Sequence, residues 1–226
     1  FFCKAIILAT IMSGNDSIKR WPVLVGALIV QAVLGTVYAF SVFVKPLELE
    51  FGWDRMTTQW AFSFALVTFA IVMIPAGRLQ DRIGPRKVAS IGGILLGLSF
   101  LLGAVLVDGS RPWALYLTYG VLGGAGIGFA YVCPNASDMK WFPDKKGLVT
   151  GLAVAGFGAG ALFFAGPAST LLKPSGSEAM GFSQALLVGL GIAKGSGFGI
   201  GCKTFFILHG IASAALVIFG ASFLSN

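Results

Sequence analysis

Apolar runs recur along the chain at about 21–44, 56–77, 88–107, 113–135, 147–171 and 204–224, each bounded by a short polar break. A helix that crosses a bilayer needs about 20 mostly apolar residues, so each run predicts one membrane span. The breaks carry their own stop signals. Pro46 and Gly52 fall between the first two runs, Gly84-Pro85 between the second and third, Asp108-Gly109-Ser110 with Pro112 between the third and fourth, and Pro143 between the fourth and fifth. Connections this short force neighbouring helices to run antiparallel. The predicted fold class is an all-α membrane protein with six transmembrane helices.

Composition agrees with the pattern and limits it. The 226 residues are 56% hydrophobic and 11% charged, against about 25% charged in soluble domains, which excludes an ordinary water-facing globule. The same length leaves room for six spans and not for twelve. The net charge of +7 comes from basic residues scattered between the apolar runs, so it describes topology and gives no nucleic-acid surface. Lys4, Lys19, Arg20, Arg78, Arg82, Arg86, Lys87, Lys140, Lys145 and Lys146 fall on one side of the predicted membrane. Lys45, Arg55, Arg111, Lys173, Lys194 and Lys203 fall on the other. Basic residues are retained on the cytoplasmic side, so both termini of the chain are predicted cytoplasmic in a multi-pass protein of the cell (plasma or inner) membrane.

Several chemistries find no support. Cys3, Cys133 and Cys202 are far apart, with no C-x-x-C pair, so neither a disulfide framework nor a metal site is signalled. No H-E-x-x-H or G-x-S-x-G motif suggests an enzyme, and no cofactor is implied. Gly195–Gly201 reads GSGFGIG but lacks the spacing of a phosphate loop, and reads as a linker. It belongs to a glycine-rich stretch over 173–203, taken as an extracytoplasmic loop or insertion. Within that stretch Gly181–Ala193 is apolar but too short to span. The chain opens on Phe1 rather than Met. Met12 is the expected start, with 1–11 not native, and the chain is expected to be cut after the last span at 204–226.

Two motifs narrow the class. The stretch GRLQDRIGPRK over 77–87 resembles the G-x-x-x-D-R-x-G-x-R-[RK] loop of the major facilitator superfamily, with Gly77, Asp81, Arg82, Gly84, Arg86 and Lys87 at the matching positions. Gly77 suits close approach of a neighbouring helix, Asp81 suits charge-assisted hydrogen bonds, and Gly84-Pro85 turns the chain back into the membrane. The resemblance implies that this loop is a conformational latch, with Asp81 a gating residue. The stretch KWFPDKKG over 140–147 resembles the [RK]-W-F-P-D-[KR]-[RK]-G segment of the oxalate/formate antiporter family within that superfamily. There Trp141 and Phe142 suit the headgroup level, Pro143-Asp144 starts a helix, and Lys145 and Lys146 hold that end in the cytoplasm. Glycines repeat at i, i+4 as Gly147 and Gly151, Gly156 and Gly160, and Gly120, Gly124 and Gly128, faces that permit close helix packing.

Charge within the spans is scarce, and intramembrane ionisable residues are the default functional candidates. His209 is the one titratable candidate there, placed near the outer end of the sixth span; a proton relay and an ordinary interfacial histidine are both open. The other polar candidates are Gln31, Tyr38, Gln59, Tyr116, Tyr119, Tyr131 and Asn135. The stretch GTVYAFSVF over 35–43 resembles the aromatic segment lining the substrate path of the antiporter family. The resemblance implies that Tyr38 donates to a carboxylate and that Phe40 and Phe43 form a wall, with Gln31, Tyr131 and Asn135 also on the path. Val37 stands where oxalate transporters of the family carry glutamine.

The resemblance implies the N-terminal half of a major facilitator fold, six helices as two inverted three-helix repeats. Its implied function is secondary active transport of small carboxylates, of the oxalate, formate, pyruvate or lactate type, by alternating access. The implied partners are the carboxylate anion with a proton or an exchanged anion, the lipid bilayer, and a C-terminal six-helix half that carries the basic anion-binding residues. The alternative is a complete six-span channel or membrane scaffold without transport activity of its own.

Overall fold

The computed structural model describes residues 17–171 and 202–224, with side chains described over 20–165 and 203–224. The expectations for 1–11 and for most of the glycine-rich stretch lie outside the described residues. Among the described residues six helices are long and apolar enough to cross a membrane: span 1 (Arg20–Phe51), span 2 (Arg55–Ile83), span 3 (Pro85–Leu106), span 4 (Pro112–Trp141), span 5 (Pro143–Ala165) and span 6 (Lys203–Phe223). Among the described residues there is no strand.

Three spans run further than the apolar pattern predicts, span 2 by continuing to Ile83. Span 1 continues through Pro46 and ends at Gly52, whose φ of 69° is left-handed and whose N–H reaches the Glu48 carbonyl. A proline inside a membrane helix is tolerated when neighbouring helices satisfy the freed carbonyl, so Pro46 does not stop the helix and Gly52 does. Span 4 carries Ser137 and Asp138 within its last turns and ends at Phe142, which bonds back to the Asp138 carbonyl. Polarity therefore hides the end of that helix from a hydropathy criterion.

Both ends of span 2 are set by specific residues. Asp54 caps its start, accepting from the Thr57 amide at 3.2 Å and from the Thr57 hydroxyl. Those hydrogen bonds hold the Asp54 carboxyl below the usual carboxylate range. The cap is therefore complete at neutral pH and is lost only as pH falls through that lowered value. At the other end Gly84 has φ 89° and ψ 155°, a backbone region that essentially only glycine occupies, with Pro85 opening span 3 immediately after it. Gly84→Ala is expected to lower stability by about 1–3 kcal/mol. Thermal unfolding of the purified chain checks this, and an unchanged melting temperature would refute the strained turn.

Helices approach where side chains are small. Gly120, Gly124 and Gly128 of span 4 lie against Phe64, Ala65 and Val72 of span 2. Gly92 and Gly126 bring spans 3 and 4 together, and Gly26 and Gly220 do the same for spans 1 and 6. The i, i+4 pairs of span 5 behave differently from one another. Gly156 and Gly160 face span 1, but Gly147 and Gly151 have nothing within 4 Å. The step from 151 to 156 is five residues, which rotates the second pair away from the first on a helix of about 3.6 residues per turn. Gly147 and Gly151 are thus not packing glycines among the described residues.

Span 1 departs from α geometry over Gly35–Phe40, which is 3₁₀-helical, and span 4 widens to a π-helical stretch over Tyr116–Gly123. Phe40 and Tyr119, from these two irregular stretches, meet at 4.8 Å inside the core. Spans 2 and 5 are the least covered, with 17% and 28% of their apolar windows buried. Met56, Val67, Ile71 and Ile74 of span 2 and Leu162 and Phe163 of span 5 are all exposed.

Candidate functional site

Polar residues of spans 1 and 4 come together inside the bundle. Gln31 is fully buried, at 0% exposure, and its Nε2 donates to Oδ1 of Asn135 at 3.2 Å. Asn135 is half-buried, one turn from Tyr131 on the same helix. The Tyr131 ring meets Phe157 of span 5 at 5.0 Å and Phe69 of span 2 at 5.2 Å, both edge to face. Tyr38 of span 1 meets the same Phe157 at 5.2 Å. Tyr38, Phe157 and Tyr131 therefore form one aromatic row across spans 1, 5 and 4, with the Gln31–Asn135 pair beside it. Tyr38 is 48% exposed and is the open end of that row.

Phe40 and Phe43 do not join it. Both are 2% exposed; Phe40 packs on Phe62 and Tyr119, and Phe43 on Phe205 and Phe206. Two residues apart on a helix of either type, Tyr38 and Phe40 point in different directions, and of the two only Tyr38 faces out. The wall expected from Phe40 and Phe43 is interior packing, and Val37 is buried with them. Phe157 was not legible as a site residue, although it is the single aromatic in the small-residue stretch GLAVAGFGAG of span 5.

Other candidates are engaged structurally. Tyr116 donates its hydroxyl to the Thr57 carbonyl at 2.9 Å, Tyr119 is buried in the core, and Gln59 is half-buried in the first turns of span 2. His209 does not face the outside of the bundle. It is buried between Phe100 and Phe164, ring centroids at 4.4 and 4.2 Å, with Nε2 3.3 Å from the Ser213 hydroxyl. Helix rotation turns it inward, and nothing along span 6 alone reveals that.

The loop residues of the first motif spread over the end of the bundle. Asp81, Arg82, Arg86 and Lys87 are exposed, Gly84 is buried in the turn, and Arg86 donates to the Ser222 carbonyl at the end of span 6. Gly77 meets only Val132, 3.8 Å from where a Cβ would lie. That is ordinary contact, so the close approach expected at Gly77 is not made among the described residues. In the second motif Trp141 is half-buried against the Val88, Ala89 and Cys133 cluster, Phe142 ends span 4, and Pro143, Asp144, Lys145 and Lys146 are exposed.

One ionisable residue escaped the hydropathy pattern. Asp138 has 0% exposure, and neither carboxylate oxygen has a hydrogen-bond partner among the described residues. Its signal in the sequence is an acid three residues beyond Asn135, just past the end of the apolar run over 113–135. Every described Lys and Arg lies within two turns of a helix end or in a connection, so the aromatic row has no cation of its own.

A family model described as the Major Facilitator Superfamily matches residues 24–226. The chain belongs to the major facilitator superfamily. Six helices with spans 2 and 5 left uncovered are half of a major facilitator fold. The chain is 33% identical over 215 residues to an uncharacterized transporter of this type, YhjX of Escherichia coli, covering 94% of the chain and 46% of that relative. It is 34% identical over 175 residues to the oxalate:formate antiporter of Oxalobacter formigenes, covering 76% of the chain and 40% of the relative. It is 28% identical over 146 residues to monocarboxylate transporter 13 of Rattus norvegicus, covering 64% and 33%. The chain thus spans less than half the length of these curated relatives.

Proposed function

We propose that this major facilitator chain is the N-terminal six-helix half of a secondary active transporter for small carboxylates, with both ends of the described bundle in the cytoplasm. The observation that carries the proposal is the row of Tyr38, Phe157 and Tyr131 beside the Gln31–Asn135 pair. Three spans contribute neutral donors and apolar ring faces to one surface, which suits an anion whose charge is met from elsewhere. A carboxylate without a cation would lose its hydration uncompensated. The second half is therefore expected to supply Lys or Arg opposite this row. The uncovered faces of spans 2 and 5 fit contact with that half, and rocking of the two halves about the central site gives alternating access. The names of the antiporter and monocarboxylate transporter relatives support oxalate, formate and other small carboxylates as the substrate class, with an exchanged anion as the coupled species; pyruvate and lactate belong to the same chemical class.

Uptake of labelled carboxylates into proteoliposomes tests this, with the chain alone and with the chain joined to a C-terminal six-helix half. Uptake above protein-free controls is expected only from the joined form, and uptake by the chain alone would overturn the proposal. In the joined form Asp81→Asn is expected to cut the uptake rate at least tenfold without changing the amount of protein in the membrane. That is the behaviour of a latch in the 77–87 loop rather than of a merely topogenic basic loop. A rate equal to that of the unmodified protein would remove Asp81 from the mechanism.

A further inference from the structure

Asp138 differs from every other acid whose side chain is described. Glu50, Asp54, Asp81, Asp108 and Asp144 are exposed and Glu48 is half-buried, whereas Asp138 has 0% exposure and no hydrogen-bond partner for either oxygen among the described residues. It lies one turn from the end of span 4, where the Phe142 amide closes the helix on the Asp138 carbonyl. Spans 1, 2, 3 and 5 pack against Gly124–Trp141. At this end of the bundle they carry Arg20, then Arg78, Asp81 and Arg82, then Arg86 and Lys87, then Lys146; span 4 adds Lys140, and the turn before span 5 adds Asp144 and Lys145. Arg20 is half-buried and all the others are exposed, and none of them hydrogen-bonds to Asp138. The uncharged titratable groups on its own helix are Cys133, which is buried, and Tyr131, which is half-buried.

An unpaired carboxylate in this place has two ways of shedding its desolvation cost: it takes up a proton where it is, or the helix end opens and water reaches it. Each way removes the need for the other, so proton occupancy and packing are linked. We propose that Asp138 is a proton-binding site that fastens the end of span 4. With the proton bound the described packing holds, and with the proton released the turn over Asp138–Trp141 opens to water. The place suits local opening, because one turn follows Asp138 before Phe142 and Pro143 end the helix. Opening lifts Trp141 from its contact with the Val88, Ala89 and Cys133 cluster. The site belongs to the described chain and is independent of what the chain carries.

The test is backbone hydrogen exchange over 133–142 in the detergent-purified chain, unmodified against Asp138→Asn. The two are compared at matched pH, so the intrinsic dependence of exchange on pH cancels in the ratio of their rates. Asparagine stands in for the protonated acid at every pH. Near pH 5 the two proteins are expected to exchange alike, within about twofold, and near pH 8 the unmodified chain is expected to exchange at least tenfold faster. Segments over 88–104 of span 3 are expected to stay alike at both. A ratio that is the same near pH 5 and near pH 8 overturns the inference, whatever its value, because Asp138 then acts through shape and polarity and not through a proton. A pH-dependent ratio that is equally large over 88–104 also overturns it, since the proton is then linked to unfolding of the bundle and not to the end of span 4. Asp138→Ala answers the same question should the asparagine variant not accumulate, with the same tenfold change of ratio between the two pH values expected.

Discussion

Gly35→Ala is expected to separate spans 1 and 5 and to cost about 3 kcal/mol, the upper end of the usual overpacking penalty. A Cβ at position 35 would lie 1.8 Å from the Phe157 carbonyl oxygen, and one at Gly160 would lie 2.0 Å from the Ala32 oxygen. Both obstacles are backbone, which has no rotamer to change, so relief requires the helices themselves to move apart. The displacement acts on Phe157, the ring shared by Tyr38 and Tyr131, and so it reaches the proposed substrate surface as well as stability. Gly151→Ala and Gly158→Ala are the controls, since a Cβ at either position meets nothing within 4 Å. Melting of the detergent-purified chain distinguishes the cases: Gly35→Ala falls well below the unmodified chain, and the two controls stay with it. Equal melting of all three would mean that spans 1 and 5 are not in backbone contact at Gly35.

Asp138→Asn is expected to raise stability, by on the order of 2 kcal/mol in the 226-residue chain. An acid with 0% exposure and no partner for either oxygen among the described residues carries an uncompensated cost, whether the desolvation of an ion or the uptake of a proton. Asparagine keeps the shape, removes the charge and brings two donors of its own. Most substitutions in a packed region destabilise, so a rise in melting temperature at this position is a distinctive outcome. A fall would mean that the Asp138 carboxylate is satisfied in the folded chain. A destabilising residue kept inside a helix bundle is a functional candidate, because such a cost is tolerated where the charge is used.

The positions and number of the spans were legible from the order of residues, because crossing a bilayer depends on local apolar content and length, which each segment carries by itself. The turn between spans 2 and 3 was legible too, since Gly84 and Pro85 act through their own backbone restrictions. Where spans 1 and 4 outran the pattern, at Pro46 and at Ser137-Asp138, local composition misled because neighbouring helices supply what the segment lacks. Rotation about each helix axis was not legible. The glycine repeats of span 5 looked equivalent, yet only Gly156 and Gly160 meet another helix. Tyr38 and Phe40 sit two residues apart on different sides of the helix, and packing of span 1 against its neighbours decides which is half-exposed and which buried. His209 and Asp138 turned inward, and Phe157 became the ring that joins two tyrosines. Membership of the membrane, and the punctuation of the spans, follow from residues acting on their own neighbourhood in the chain. Which side chains meet is decided by close packing between helices, a property of pairs of surfaces that no single segment contains.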